Sequence, residues 1–300
     1  MRVTKIESST TTSARLTLET YPLKSNLPTR WSDVRNDRIG DVVLPLYFED
    51  ARGTLLRQLL SEAGYADGNW RAFMARLRVR YHGVAAFPGT LIVGSGIRNI
   101  GRSSYTFAQA AFQGGQCVAL CDSFAVAVGP DRRPRALDAE TRGALERGLL
   151  LHTAAQKMNA DPARPSAARL LPDPYPCRHE FATRYPDTDA MGHVNNLGVL
   201  RYYEDGRACT LLEPMNEFVI RLIEVDVTYL REAVYPRPLI VGSGISTIGE
   251  RRFHLSQALF QDQHCVGVCD AVLTCSDGVN SSVPIDSALR SWLERKRLAT

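Results

Sequence analysis

RYPDTDAMGHVNNLGVLRYYEDGR, residues 184–207, is the stretch from which the fold is read. Its first half gathers short polar groups, Asp187, Asp189, His193, Asn195 and Asn196, around Gly192. Its second half spaces Leu197, Leu200 and Tyr203 three residues apart, which puts them on one face of a helix over about 196–213. Asn195 or Asn196 is a suitable N-cap, because a short amide accepts from the unpaired N–H groups of a first turn. A carboxylate and an imidazole thus stand just before a helix N-terminus, whose outward N–H groups carry partial positive charge. Such an arrangement can polarise a carbonyl and activate water beside it.

Working outward, the same unit is written twice. LIVGSGI at 91–97 recurs at 239–245. At that offset Gln109 meets Gln257, Phe112-Gln113 meets Phe260-Gln261, and Cys121-Asp122 meets Cys269-Asp270. Cys117 meets Cys265, and Leu145-Glu146-Arg147 meets Leu293-Glu294-Arg295. Upstream, at a slightly longer offset, Ala14-Arg15-Leu16 matches Ala168-Arg169-Leu170 and Tyr21-Pro22 matches Tyr175-Pro176. Glu49-Asp50 and Arg52 match Glu204-Asp205 and Arg207 in the same way. The change of offset marks extra residues in the first copy around SEAGYADGNW at 61–70, read as a loop. This is a tandem duplication of one domain, with domains at 13–150 and 168–300 and an Ala- and Pro-rich connection at 160–167.

The order of elements in the second copy sets the fold class. A strand over about 178–185 leads through the polar cluster into the helix. Alternation in FVIRLIEVDVTYL then puts Val219, Arg221, Ile223, Val225, Val227 and Tyr229 on one strand face. Strand runs near 237–248, 252–261 and 265–276 follow, and a closing helix starts from Asp286 behind Pro284. Strand, helix, then adjacent strands joined by short turns is an α+β arrangement, one antiparallel sheet with a helix packed on it. Because that helix is apolar on most sides, the sheet is expected to wrap it.

Composition excludes several classes. A chain of 300 residues buries ample core for two ordinary domains. A net charge of +4, with no basic block longer than DRRPR at 131–135, is far from a nucleic-acid footprint. The N-terminus lacks the apolar core of a signal peptide, and no apolar run would span a bilayer. Seven cysteines, an odd number, read as reduced thiols in a cytoplasmic protein.

The run DTDAMGHVNN followed by YYEDGR resembles the signature of the hotdog-fold thioesterases, most of all the branch of 4-hydroxybenzoyl-CoA thioesterase and its acyl-CoA and acyl-carrier-protein relatives. LREAVYPRPLIVG at 230–242 is similar to the segment where that family's sheet passes its active site. The resemblance implies two tandem hotdog domains, each a sheet curled round a central helix, packed as a pseudo-dimer with the active site at their seam. It implies that Asp189 is the nucleophile or the general base for water, and that no metal or redox cofactor is needed. CoA or phosphopantetheine would be part of the substrate.

Only the second copy carries the polar signature intact. Aligned on Arg30 and Glu49, the first reads RWSDVRNDRIGDVV, one residue shorter. Asp33 keeps the place of Asp187, but Arg35 falls at Asp189, Arg38 at His193, Gly40 at Asn195 and Asp41 at Asn196. Pro45 should make the first copy's helix start later. Domain 1 is therefore read as scaffold, with Asp37 an outside candidate for a partial second site. The candidate catalytic set is Asp189, His193, Asn195 and Glu232, the last replaced by Val84 in the first copy. Gly192, Val194, Asn196 and Met191 are candidates to meet substrate, with the Gly192 N–H a candidate oxyanion donor. Each has a structural alternative: Asp189 a turn cap, His193 a loop brace, the asparagines caps, Gly192 a left-handed turn. Glu204 and Arg207, kept in both copies, read as a structural ion pair or helix cap.

Two features are declined. The Gly-Ser-Gly pieces at 94–96 and 242–244 lack the spacing of a nucleophile elbow or phosphate loop and read as bulges or bends in a curled sheet. Cysteines four apart on a strand read as core thiols and not as a zinc site. The expected activity is hydrolysis of an acyl-CoA or acyl-carrier-protein thioester. The alternatives are a hotdog hydratase or dehydratase and a non-catalytic acyl-thioester binder. Expected partners are the small-molecule thioester and a carrier protein, with no nucleic acid and no membrane span. Self-association beyond the internal pair is left open, as are acyl chain length and aromatic character.

Overall fold

A computed structural model describes residues 15–35, 38–61, 70–151, 164–189, 192–277 and 282–299. Most of the 61–70 loop, part of the connection at 160–167, Asp37 and Met191 lie outside them. The chain divides into two compact units, residues 1–75 with 79–161, and residues 76–78 with 162–300.

In the first unit β1 (Leu23–Pro28) precedes a two-residue hairpin, β2 (Val34–Arg35) and β3 (Arg38–Ile39), and then helix α1 (Leu44–Ser61). Strands β4 (Ala72–Tyr81), β5 (Thr90–Ile100), β6 (Ser104–Gln113) and β7 (Gln116–Ala127) follow, and α2 (Ala139–Arg147) closes the unit. The sheet runs β1-β5-β6-β7-β4. Leu55 and Leu59 of α1 share a core with Ile97, Tyr105 and Phe107 of the sheet and Leu145 of α2.

The second unit repeats this plan with β8 (Cys177–Phe181), α3 (Asn196–Met215), β9 (Val219–Tyr229), β10 (Leu239–Ile248), β11 (Arg252–Gln261), β12 (His264–Ser276), the short β13 (Ser282–Val283) and α4 (Ser287–Arg295). Its sheet runs β8-β10-β11-β12-β9, with β13 beside β12. Helix α3 touches β8, β9, β10 and β11, so four strands surround it, as its apolar circumference demanded. The α+β class and the sheet-round-helix architecture are therefore as read from the sequence.

The repeat is reproduced atom for atom at several points. Tyr21 Oη donates to the Arg15 carbonyl at 3.0 Å, and Tyr175 Oη to the Arg169 carbonyl at 2.9 Å. These tyrosines explain the Gly-Ser-Gly pieces. A Cβ on Gly94 would lie 2.6 Å from the Tyr21 ring, and one on Gly242 would lie 2.8 Å from the Tyr175 ring. The serine between the glycines is buried and accepts from a buried glutamine, Gln109 to Ser95 at 2.9 Å and Gln257 to Ser243 at 3.0 Å. A one-residue bulge follows in each copy, between Ile97 and Asn99 and between Ile245 and Thr247.

One face assignment needs correction. In β9 the partner register slips between Leu222 and Glu224, so Ile223 is an extra residue. The bulge reverses the alternation, and Leu222 joins Val225 and Val227 in the core in place of Ile223. Helix α1 starts three residues later than its counterpart, at Leu44 with Pro45 in its first turn, as Pro45 required. Arg52 turns toward Gln109 Oε1 at 3.3 Å and Ser123 Oγ at 3.2 Å, so its fixed place serves the helix-to-sheet contact. Among the described residues no helix is long and apolar enough to cross a membrane.

Candidate active site

The polar cluster folds as a tight turn tied to the start of α3. Asp189 N–H donates to the His193 carbonyl at 2.8 Å, and Gly192 N–H donates back to the Asp189 carbonyl at 3.0 Å. Gly192 has φ +80°, and nothing lies within 4 Å of where its Cβ would be. It therefore serves a left-handed turn and not a close approach. Its N–H is taken by that turn, so as an oxyanion donor it would first have to leave Asp189.

The Asp189 carboxylate is exposed, and its Oδ1 accepts from the His193 N–H at 3.2 Å. The turn thus fixes the carboxylate, while its second oxygen is not needed for that bond. The His193 ring, its side chain 16% exposed, lies with Nε2 3.4 Å from Glu232 Oε2. Glu232 sits in the loop between β9 and β10, not on a strand. That loop is stitched to the turn by a bridge between His193 and Val234 and by Val194 N–H donating to the Ala233 carbonyl at 2.8 Å. Residues thirty-nine apart in sequence (193 and 232) are brought into contact in this way.

Asn195 is the N-cap, its side chain accepting from Leu197 N–H at 2.9 Å while its carbonyl receives Val199 N–H at 2.9 Å. Val194 is buried, 5% exposed, and packs 3.0 Å from where a Gly198 Cβ would stand, so it belongs to the loop-to-helix packing. Asn196 opens α3, and its carbonyl receives Tyr229 Oη at 3.2 Å. Its own N–H meets no acceptor among the described residues, which leaves it as a donor at the positive end of the helix.

Asp187, two residues before Asp189, does different work. It is 5% exposed and accepts from Arg184 Nε at 2.8 Å, Tyr202 Oη at 2.9 Å and Arg201 Nη1 at 3.4 Å. Burial alone would raise its pKa, but the hydrogen bonds from Arg184 and Tyr202 and the two guanidinium charges outweigh that and hold it below the usual carboxylate range. Its carbonyl receives Asn195 N–H at 2.8 Å, closing the turn onto the helix.

The first unit has the same frame with other side chains. Tyr47 Oη donates to Asp33 Oδ2 at 2.6 Å, the counterpart of Tyr202 and Asp187. Ile39 N–H donates to the Ala85 carbonyl at 2.8 Å as Val194 does to Ala233, and Gly40 N–H donates to the Asp33 carbonyl at 3.0 Å as Asn195 does to Asp187. These bonds fix the alignment that the sequence left open by a residue. Arg38 stands at His193, Val84 at Glu232, and Arg35 at Asp189, folded onto the Ser32 and Val34 carbonyls at 3.1 and 2.8 Å.

Sequence reasoning missed the Tyr202–Asp187 bond, although Tyr47 with Asp33 is the same pair, one residue closer in the shorter first copy, and would have signalled it. It also missed an exposed ring pair beside the turn, Tyr185 against Tyr235 at 5.9 Å, matched by Trp31 against Phe87 at 5.7 Å in the first unit. Among the described residues no cluster of His, Cys, Asp and Glu could hold a metal ion, and all seven cysteines are free.

Comparison with known proteins agrees with this frame. Residues 183–293 match a family model described as the thioesterase-like superfamily. No curated protein sequence matches the chain. Among solved structures, an acyl-ACP thioesterase from Bacteroides thetaiotaomicron superposes with TM-score 0.67 at 16% identity, covering 84% of this chain and 97% of that one. A putative oleoyl thioesterase from Lactobacillus plantarum gives 0.68 at 14%, covering 85% and 96%. The 12:0-ACP thioesterase from Umbellularia californica gives 0.69 at 14%, covering 85% and 97%. The chain thus has the tandem hotdog fold of these thioesterases, and its second unit, which carries the polar turn, is similar to the thioesterase-like superfamily.

Proposed function

We propose that the chain is a thioester hydrolase that cleaves an acyl-CoA or acyl-carrier-protein thioester to the free acid and the thiol at the 187–196 turn. The observation that carries this reading is the grouping of Asp189, His193 and Glu232 at the start of α3, against Arg35, Arg38 and Val84 on the same frame in the first unit. The match of residues 183–293 to the thioesterase-like superfamily supports it.

In this reading Asp189 either attacks the acyl carbon or takes a proton from the water that does. The carbonyl oxygen becomes an oxyanion facing the start of α3, where the Asn196 N–H and the helix dipole offer positive charge. Collapse breaks the C–S bond: on the general-base route the acid forms directly and the sulfur takes the proton that Asp189 removed from water, whereas on the nucleophilic route the thiolate leaves first and water then hydrolyses the acyl anhydride on Asp189, releasing the acid and restoring the carboxylate. Glu232 holds the His193 ring, which positions the water or the carbonyl, and Asn195 fixes the helix start. The pantetheine thiol arrives and leaves as part of the substrate, and the reaction balances without a metal or redox cofactor. The free thiols support a cytoplasmic setting.

The experiment is a panel of short, long and aromatic acyl-CoA and acyl-carrier-protein thioesters, each read for free thiol and for acid. Equimolar thiol and acid from at least one member are expected. Loss of enoyl absorbance without thiol would indicate a hydratase, and no turnover with saturable binding would indicate an acyl-thioester binder.

A further inference from the structure

We propose that Gln261, the last residue of β11, is a positioning residue that sets from the sheet where the His193–Glu232 pair meets the Asp189 turn. The proposal deepens the functional reading above and rests on it. Glu232 lies in the loop between β9 and β10, and a loop holds a side chain in place only when something rigid holds the loop. Gln261 supplies that hold. Its Oε1 accepts from the Val234 N–H at 2.9 Å, and its Nε2 donates to the Val234 carbonyl at 2.9 Å and the Arg237 carbonyl at 3.1 Å. Both amide hydrogens and the amide oxygen are thus engaged, and a reversed amide would set N–H against N–H and oxygen against two carbonyls. The residue is 7% exposed, so these bonds are made out of water, and its side chain stands in for the peptide unit of an added strand.

Val234 also bridges His193. His193 in turn gives its N–H to Asp189 Oδ1 at 3.2 Å and receives the Asp189 N–H on its carbonyl at 2.8 Å. A continuous row therefore runs from the sheet to the candidate carboxylate, Gln261 to Val234 to His193 to Asp189. Glu232, two residues before Val234, is carried by the same loop, with Oε2 3.4 Å from His193 Nε2.

The first unit shows the clamp without the pair. There Gln113 makes the same two-sided bond to Ala86, at 2.7 and 3.0 Å, but Arg38 and Val84 stand at His193 and Glu232. That clamp is also lighter, because Gln113 is only half-buried. Among the described residues, the bond from Gln261 to the Arg237 carbonyl has no counterpart in the first unit. Nor has the ion pair of Arg237 with Asp262 at 2.6 Å, since Gly89 and Gly114 stand at those places. The clamp is inherited frame, and the unit that carries the polar turn reinforces it.

The test compares Gln261→Leu, which keeps the size and removes every amide bond, with Gln113→Leu, which does the same in the unit without the pair. On the best thioester of the panel Gln261→Leu should lower kcat about 10²-fold with KM near native, the effect of a misplacement of about 1 Å. Gln113→Leu should leave kcat native. The His193 ring signals in NMR spectra, assigned with His193→Gln, should move in Gln261→Leu as they do in Glu232→Gln, and stay in place in Gln113→Leu. Gln261→Leu and Glu232→Gln together should cost no more than the larger single loss, because both act through one pair. Gln261→Met, unbranched like glutamine, carries the same test if the leucine variant does not fold. Native kcat with unmoved His193 signals in the folded Gln261 variant, an equal loss in Gln113→Leu, or additive losses with Glu232→Gln would overturn the proposal. If the native chain hydrolyses no thioester, the functional reading fails on its own, and the His193 signals decide the clamp: unmoved signals overturn it, and moved signals uphold it.

Discussion

Replacing Asp187 should damage the fold, although it stands two residues from the carboxylate assigned to chemistry. Its partners set the magnitude. Arg184 and Arg201 have side chains 57% and 41% exposed, so water reclaims them and their contribution is small. Tyr202 is 2% exposed, and its hydroxyl would lose a charged acceptor at 2.9 Å. A hydrogen bond to a charged group is worth about 1.5–3 kcal/mol, so Asp187→Ala should cost about 2 kcal/mol, or about 4–8 °C in unfolding temperature. Asp187→Asn, which keeps the shape and an acceptor oxygen, should cost about 1 kcal/mol. The pH dependence follows from the lowered native pKa. A carboxyl depressed on folding contributes fully above its unfolded value and loses that contribution as pH falls through the native value. The gap between native chain and Asp187→Asn should therefore be complete at pH 7 and close below about pH 3.9, the ordinary aspartate value. Thermal unfolding followed by circular dichroism between pH 7 and pH 3 measures it. A gap that stays constant over that range, or no gap at pH 7, would refute the reasoning.

Other consequences are simpler to state. Gly242→Ala should destabilise by about 1–3 kcal/mol, because its Cβ would enter the Tyr175 ring. Gly53→Ala, on the exposed face of α1 with nothing within 4 Å, should stabilise by about 0.8–1 kcal/mol, and chemical denaturation distinguishes the signs. Cys209 is the exposed thiol, while burial pushes the Cys121 and Cys265 thiols up to about 11. One equivalent of a thiol dye should therefore react quickly in the native chain, the half-buried Cys117 and Cys177 more slowly, and the four buried thiols only on unfolding; more than three equivalents before unfolding would contradict the buried placement.

Much of this was legible in the sequence because the chain carries its own control. Local signals gave the Asn195 and Asp286 caps, the delayed start of α1 at Pro45, and the succession of helices and strands along the chain, since each depends on neighbours in sequence. The repeat separated the residues kept in both copies, such as Asp33 and Asp187, from those present only in the second, and the kept pair proves to brace the turn in both units. What stayed hidden is set by long-range packing. The contact of His193 with Glu232 depends on a loop crossing between β9 and β10. The Ile223 bulge depends on the partner strand's register and leaves no mark in the alternation of β9 itself. The glycines of Gly-Ser-Gly answer tyrosines that lie more than sixty residues upstream, at 21 and 175.

The central claim is that Asp187 serves the fold and Asp189 the chemistry, and Asp189→Asn tests it most directly. The amide keeps an oxygen to accept the His193 N–H, so the turn should persist while the charge is lost. Thiol release from the best thioester of the panel, corrected for Cys209, should fall about 10²–10⁴-fold in kcat with the unfolding temperature unchanged. Native kcat in that variant, with the turn intact, would contradict the account.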